Sequence, residues 1–214
     1  MDPRGHESPE PRWLLWAREL QALAQNGLHY ATGDFDRQRY EAVQRIAAEM
    51  FAVQSGADTR RILDLFRQEI GHATPKVDMR GAVFRDGRIL LVREKRDQLW
   101  TLPGGWADPN ELPTEAIERE IREEAGYRTR AVKLAAVYDR CRQGAIPPYP
   151  YHVYKIFFVC ELIDGSPVEN IETDAAEFFA EGEIPALSIP RVNPRQIACL
   201  FQHHRNPGLP ADFD

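Results

Sequence analysis

Three glutamates on one strip of a predicted helix are the residues in this sequence most suited to chemistry. At 100° per residue, Glu120 and Glu124 lie about one turn apart, and Glu123 lies beside them. Like charges at this spacing repel each other and destabilise an isolated helix, so the strip favours a cation as partner. Carboxylate oxygens suit hard divalent ions such as Mg²⁺ or Mn²⁺, which also bind substrate phosphates. The strip alone also fits a solvated surface helix rich in Glu and Arg.

The ends of this helix are marked by residues with strong positional preferences. Pro113 suits the first helical position, because the N–H that it lacks is not needed there. Gly126 suits the position just after the last turn. Ile117 and Ile121 share one face and are predicted to be buried. The double glycine at residues 104–105 allows backbone groups to approach a ligand closely.

The segment around this helix resembles the Nudix box. The match consists of Gly105, five residues, Glu111, seven residues, and then Arg119-Glu120-Ile121-x-Glu123-Glu124-x-Gly126-Tyr127. So many fixed positions make the resemblance much more specific than the acidic strip. It implies that Glu120, Glu123 and Glu124 bind a divalent metal, with the Gly104 carbonyl as a further ligand. Arg119 is then the residue that orients these acids.

The family reaction is attack of water on a phosphoanhydride in a nucleoside diphosphate linked to another group. The site must neutralise charge on two phosphates and place a water in line with the bond. Bound Mg²⁺ or Mn²⁺ serves both needs, because a cation polarises phosphoryl oxygens and lowers the pKa of its water. A carboxylate must also accept the proton of that water. Glu120 is one option, and the others are Glu172, Asp174 and Glu177 on a later segment.

Further residues suit contacts with a nucleotide but have ordinary structural alternatives. The candidate substrate-binding residues are Arg80, Trp100, Trp106, Arg140, Tyr151 and His152. The arginines suit phosphate, although an arginine equally suits a surface position or a salt bridge. The tryptophans flank the glycines and suit stacking on a base or ribose, with a core position as the alternative for Trp100. Tyr151 and His152 follow a proline-rich segment that suits either a binding loop or a plain connection.

The order of periodic segments predicts two domains. We predict a helical N-terminal domain over residues 1–71, a linker over 72–76, an α/β domain over 77–206 and a flexible tail over 207–214. The α/β domain is expected to be an α/β/α sandwich with a mixed sheet, which the Nudix resemblance also implies. The runs TPKVDMRGAVF and LWTLPGGWADPNE are similar to bacterial ADP-ribose and CDP-choline pyrophosphatases, whose members carry a similar N-terminal helical segment.

Composition limits the partners of the chain. The 214 residues carry a net charge of −6, so bulk attraction to nucleic acid or to an anionic membrane is not expected. Residues 1–75 have nine basic and eleven acidic side chains, which disfavours DNA binding by the helices. No transmembrane run or signal peptide is predicted, and three scattered cysteines suit a reducing cytoplasm.

The resemblance implies a pyrophosphohydrolase for X-linked nucleoside diphosphates, with ADP-ribose as the first expectation. CDP-choline is the alternative substrate. A nucleotide-sensing regulator without catalysis is the alternative from another functional class. A helical module of this size has a marginal core of its own, so it is expected to form a homodimer.

Overall fold

The computed structural model describes residues 11–144 and 148–214, which form two compact units. Within these residues, the first unit contains 11–75 and 148–152, and the second contains 76–144 and 153–214. No helix in the described part of the chain is long and apolar enough to cross a membrane.

Over residues 11–75, the first unit contains three helices, as the sequence predicts. They are α1 (Arg12–Tyr30), α2 (Asp34–Ser55) and α3 (Thr59–Gln68). Their shared core combines aromatic residues such as Phe51 and Phe66 with alanines that let the helix axes approach, Ala17 and Ala48 among them. Asp58 caps α3, since its side chain accepts from the Arg61 N–H at 2.8 Å.

The second unit is built on a mixed sheet. Its strands are β1 (Lys76–Arg85), β2 (Arg88–Glu94), β3 (Trp100–Thr101), β4 (Tyr127–Asp139), β5 (Val153–Gly165), β6 (Thr173–Phe179) and β7 (Asp212–Phe213). Its helices are α4 (Pro113–Ala125) and α5 (Pro194–Arg205). The strand order is β3-β2-β1-β5-β4-β7, and β6 also pairs with β2. β1 and β5 are parallel, whereas β4 and β5 are antiparallel.

Alternating side chains of the sheet enter two separate cores. Leu90 and Val92 belong to the core that contains Ile117 and Ile121 of α4. The neighbouring β2 residues Ile89 and Leu91 belong instead to the core on the α5 side. This period of two is the direct consequence of strand geometry. The predicted α/β/α sandwich with a mixed sheet and a preceding helical module is therefore confirmed.

Two predicted boundaries differ from the structure. Lys76, placed in the linker 72–76, is already the first residue of β1 and lies opposite Val153 of β5. The segment 207–214, predicted to be a flexible tail, contains β7, whose Asp212 and Phe213 pair with β4. The Tyr138 hydroxyl also donates to Asp212 at 2.6 Å. The sequence of this segment has no strand periodicity, and only the exposed edge of β4 makes it a strand.

Candidate active site

The glycine loop is held along β1 by backbone hydrogen bonds. The Met79 N–H donates to Gly105 O at 2.8 Å, and the Gly81 N–H donates to Pro103 O at 3.0 Å. Gly104 lies between these two bonds with a φ of 136°. A Cβ at Gly104 would lie 2.1 Å from Met79 O, so only glycine allows the loop to lie this close to the strand. The loop therefore has a fixed position beside the sheet.

Helix α4 brings the predicted glutamates to the glycine loop. Gly126 ends the helix with a φ of 76°, as predicted from its position. The buried isoleucine face fixes the rotation of the helix, and the strip of Glu120, Glu123 and Glu124 consequently faces a cleft of about 710 Å³. The other residues that line this cleft are Arg80, Glu94, Gly104, Gly105, Trp106, Asp108, Arg119, Asn170, Ile171, Glu172 and Arg191.

Arg119 holds the acids of the cleft in place. Its guanidinium makes a two-pronged ion pair with Glu111, at 2.7 and 2.9 Å. Its Nη1 also lies 3.0 Å from Glu120 and 2.9 Å from Glu123. The hydrogen bond to Glu111 is the largest of several causes that raise the pKa of Arg119, so this cation stays charged. Arg119 thus links the loop before α4 to two of the three glutamates.

Glu124 is the most buried glutamate of the strip, with 5% of its surface exposed. Its Oε2 accepts from the Gly104 N–H at 2.8 Å. Burial raises the pKa of Glu124 to about 8, although the Arg80 charge and the Gly104 N–H act in the opposite direction. Burial also raises the pKa of Glu120. Carboxylates with raised pKa values in a cleft are typical of functional sites.

Arg80 is the predicted phosphate-binding arginine that lines the cleft. Its Nε donates to Asp78 at 2.9 Å and its Nη1 donates to Leu102 O at 3.1 Å. Lys155 Nζ lies 3.0 Å from the other oxygen of Asp78. Burial lowers the pKa of Lys155 to about 8, against the attraction of Asp78. The side chain of Arg80 is thus held by two partners, with a second cation behind it.

The three later candidates for proton acceptor have different surroundings. Glu172 lines the cleft with the α4 glutamates. Asp174 forms an ion pair with Arg93 at 2.7 Å, and the hydrogen bond from Arg93 lowers its pKa. Glu177 is exposed on β6 and lines a different depression with Tyr127. Among these three, the structure brings only Glu172 into the glutamate cleft.

The other predicted substrate-binding residues divide in the same way. Trp106 lines the cleft and is 47% exposed. Trp100 packs against the α5-side core, edge-to-face with Phe179 at 4.8 Å between ring centroids. Arg140 is buried and does not line the cleft. Tyr151 and His152 belong to the helical unit, where the Tyr151 hydroxyl donates to Leu65 O at 3.2 Å.

The cleft also contains residues that the sequence did not single out. Arg191 precedes α5, and its Nε lies 2.9 Å from Glu94 while its Nη1 lies 2.9 Å from Asp97. Glu94 ends β2, and burial raises its pKa. Asn170 donates to Glu124 O of α4 and accepts from the Glu172 N–H. No sequence motif marks Glu94 or Arg191. For Asn170, the local signal in the sequence is the turn pattern Asn170-x-Glu172-Thr173, since asparagine is favoured in turns.

The donor set suits a hard divalent cation, although its side chains are committed to other partners. Three carboxylates and a backbone carbonyl are oxygen donors of the type that Mg²⁺ and Mn²⁺ prefer. In residues 11–144 and 148–214, no three acidic, histidine or cysteine side chains already converge as an assembled metal site. Arg119 donates hydrogen bonds to Glu120 and Glu123, and the Gly104 N–H donates one to Glu124. An ionised carboxylate has about four lone-pair sites, so each glutamate can bind a cation while it keeps these hydrogen bonds.

An α/β/α sandwich with a glutamate helix behind a glycine loop defines a Nudix-type hydrolase domain. A model of the NUDIX domain matches residues 75–200, which is more than half of the chain. A model described as the UDP-X-like N-terminal oligomerisation domain matches residues 11–66. The chain belongs to the Nudix hydrolase family, as the box had indicated.

Three relatives are similar to this chain, one by sequence and two as solved structures. A putative ADP-ribose pyrophosphatase of Bacillus subtilis, YjhB, is 45% identical and covers 96% of this chain and 98% of its own length. The crystal structure of a UDP-X diphosphatase is 31% identical with a TM-score of 0.62, covering 95% of this chain and 98% of that one. An ADP-ribose pyrophosphatase structure from Streptococcus suis is 35% identical with a TM-score of 0.61, covering 66% of this chain and 100% of that one.

Proposed function

We propose that this protein hydrolyses the pyrophosphate bond of X-linked nucleoside diphosphates, with ADP-ribose as the preferred substrate. Water would then convert ADP-ribose to AMP and ribose 5-phosphate. The observation that carries the proposal is the cleft itself, which is lined by Glu120, Glu123 and Glu124 together with Arg80 and Arg191. The glutamate carboxylates can coordinate the divalent cation that accompanies a pyrophosphate group, and the guanidinium groups can bind its phosphate oxygens.

Mg²⁺ or Mn²⁺ is the proposed cofactor. Glu120, Glu123, Glu124 and the Gly104 carbonyl would hold it, and it would supply charge neutralisation and an activated water. Arg119 keeps Glu120 and Glu123 close to each other until they bind the cation, and Glu111 anchors Arg119 from the loop. These contacts reduce the reorganisation needed when substrate and cation arrive together.

Glu172 is the proposed proton acceptor for the attacking water. It lines the same cleft as the three glutamates, while Asp174 is neutralised by Arg93 and Glu177 lines another depression. Glu120 is the second candidate, since its raised pKa also favours proton uptake. Glu172→Gln is the deciding variant, because Glu120 is also a proposed metal ligand: a large loss of kcat with saturating metal supports Glu172, and an unchanged kcat leaves Glu120 as the acceptor.

The relatives support ADP-ribose and raise a uridine nucleotide as a second candidate. Two of the three are named as ADP-ribose pyrophosphatases. The UDP-X diphosphatase structure covers nearly the whole chain, including the helical unit, and this favours testing UDP-linked sugars. Trp106, which is half exposed at the cleft, suits stacking on either base or on a ribose. Within the part of the chain that the structure describes, no group of aromatic side chains lines the cleft as a cage for choline, which places CDP-choline third.

The test is kcat/KM for ADP-ribose, UDP-glucose, CDP-choline and the common nucleoside triphosphates, with Mg²⁺, with Mn²⁺ and with EDTA. We expect ADP-ribose to give the highest value and EDTA to abolish turnover. Preference for a triphosphate would overturn the substrate class, whereas preference for UDP-glucose would change only the nucleotide. A DNA-binding assay with and without ADP-ribose tests the sensing alternative, for which we expect no binding.

Homodimerisation through the helical unit is the proposed assembly. Trp16 and Leu23, nearly two turns apart on α1, are 48% and 56% exposed. Val53 of α2 is 76% exposed. Large apolar side chains in such positions suit an interface with a second copy. The match of residues 11–66 to an N-terminal oligomerisation domain supports self-association through this unit. Light scattering of the full chain at micromolar concentration is the test, and a monomer mass would contradict it.

A further inference from the structure

The last turn of α4 ends with a carbonyl that the helix itself does not satisfy. Carbonyl groups in the final turn of a helix have no N–H partner within it. Glu124 O accepts from the Thr173 hydroxyl at 2.7 Å and from Asn170 Nδ2 at 2.9 Å. Thr173 is fully buried. The end of the metal-binding helix is therefore capped by side chains from a segment far away in sequence.

Asn170 uses all of its hydrogen-bonding capacity in this small region. Its Oδ1 accepts from the N–H groups of Glu172 and Thr173, at 2.8 and 2.9 Å. Its Nδ2 lies 2.6 Å from the Thr173 Oγ1 in addition to its bond with Glu124 O. Two donors and two acceptors are the full inventory of an asparagine amide. This side chain fixes both the turn 170–173 and the contact of that turn with α4.

The backbone of Glu172 is fixed on both sides by these bonds. Its N–H is bound by Asn170, and its carbonyl accepts from the Lys95 N–H at 2.8 Å. Glu172 itself lines the cleft. Glu124 is hydrogen-bonded to the glycine loop through its Oε2 and to the turn 170–173 through its main-chain carbonyl. One residue of α4 thus connects three segments of the cleft.

We propose that Asn170 and Thr173 are positioning residues that hold Glu172 in register with the glutamates of α4. The inference rests on the proposed role of Glu172 as proton acceptor. Neither side chain has to touch substrate, because their effect passes through the backbone of Glu172. Displacement of a catalytic group by about 1 Å lowers turnover by roughly 100-fold, whereas ground-state binding by other residues is retained.

Thr173→Val and Thr173→Ser form the matched pair for a test. Valine has the shape of threonine but lacks the hydroxyl, and serine keeps the hydroxyl. We expect Thr173→Val to lower kcat by roughly 10- to 100-fold with KM nearly unchanged, since only the acceptor is displaced. Thr173→Ser is expected to restore most of kcat. Equal losses in both variants, or a loss confined to KM, would overturn the proposal.

A double-mutant cycle separates positioning from simple capping of the helix. If Thr173 acts through Glu172, the variant Glu172→Gln/Thr173→Val is no slower than Glu172→Gln alone. Independent, multiplicative losses would show that the cap supports activity by another route. Hydrogen exchange on metal-free protein provides a second measurement. Thr173→Val is expected to accelerate exchange in a peptide covering 168–176, whereas unchanged exchange there would contradict the positioning role.

Failure of this inference differs from failure of the proposed function. If the wild-type protein hydrolyses none of the X-linked nucleoside diphosphates with Mg²⁺ or Mn²⁺, the proposed function fails and the positioning role fails with it. If the wild type is active but Glu172→Gln turns over at the wild-type rate, only the positioning role fails. We expect the wild type to be active, Glu172→Gln to turn over slowly, and the losses in the double-mutant cycle to be non-additive.

Discussion

Gly104→Ala is a sharp test of the fixed glycine loop. The backbone at this position has a φ of 136°, a conformation that costs an alanine about 1–3 kcal/mol. The added Cβ would also lie 2.1 Å from Met79 O, so the loop must move away from β1 by roughly 1 Å. That movement weakens the hydrogen bond from the Gly104 N–H to Glu124, which is worth about 1.5–3 kcal/mol when the carboxylate is charged.

The expected results follow from these magnitudes. We expect Gly104→Ala to lower the free energy of unfolding by about 3–5 kcal/mol, measured by urea titration. We expect kcat/KM for ADP-ribose to fall by at least about 100-fold, because the glutamate cleft loses its alignment. The Mg²⁺ concentration at which the Gly104→Ala variant reaches half of its maximal rate should also rise.

Gly87→Ala is the matched control. Gly87 has a φ of 72° in the hairpin between β1 and β2, and a Cβ there would meet nothing within 4 Å. The substitution therefore costs about 1–2 kcal/mol of backbone strain but causes no steric overlap. Position 87 is also distant in sequence from the glutamates of α4. We expect near-normal kcat/KM. If Gly104→Ala matched Gly87→Ala in both stability and activity, the close approach to β1 would not determine the position of the loop.

Three further substitutions test other parts of the structure. Glu124→Gln keeps the shape but removes a charged ligand, and we expect steady-state kcat at low Mg²⁺ to fall by about 100-fold or more with an unchanged circular dichroism spectrum. Arg119→Lys loses the paired bonds to Glu111, and we expect a higher Mg²⁺ requirement in titrations with little change in KM for ADP-ribose. Trp16→Asp is expected to shift the protein toward monomer in light scattering while the hydrolase activity at saturating substrate persists; an unchanged mass would place the interface elsewhere.

The chemistry-bearing helix was predictable because its signals are local. Pro113, Gly126 and the buried isoleucines act within one helix, so spacing alone fixes its ends and its inner face. The same periodicity places Glu120, Glu123 and Glu124 on one strip. The sequence therefore determined the fold class, the helical module and the glutamates of the box. Their roles as metal ligands stay a prediction that the Mg²⁺ titrations test.

The rest of the cleft was decided by pairings between distant segments. Glu172, Asp174 and Glu177 were equivalent candidates in sequence, and the pairing of β6 with β2 is what gives each a different neighbourhood. Tyr151 was a candidate for the site, yet its hydroxyl binds Leu65 O in the helical unit. β7 forms only because the edge of β4 offers unpaired backbone groups.

Local periodicity and turn chemistry are written in consecutive residues, so the sequence alone determined the helices, the sandwich and the family of this protein. Burial and long-range hydrogen bonds depend on residues that meet only after folding. The tertiary structure therefore decided which carboxylates share the cleft, the raised pKa of Glu124 near 8, and the cap of Asn170 and Thr173 on the glutamate helix.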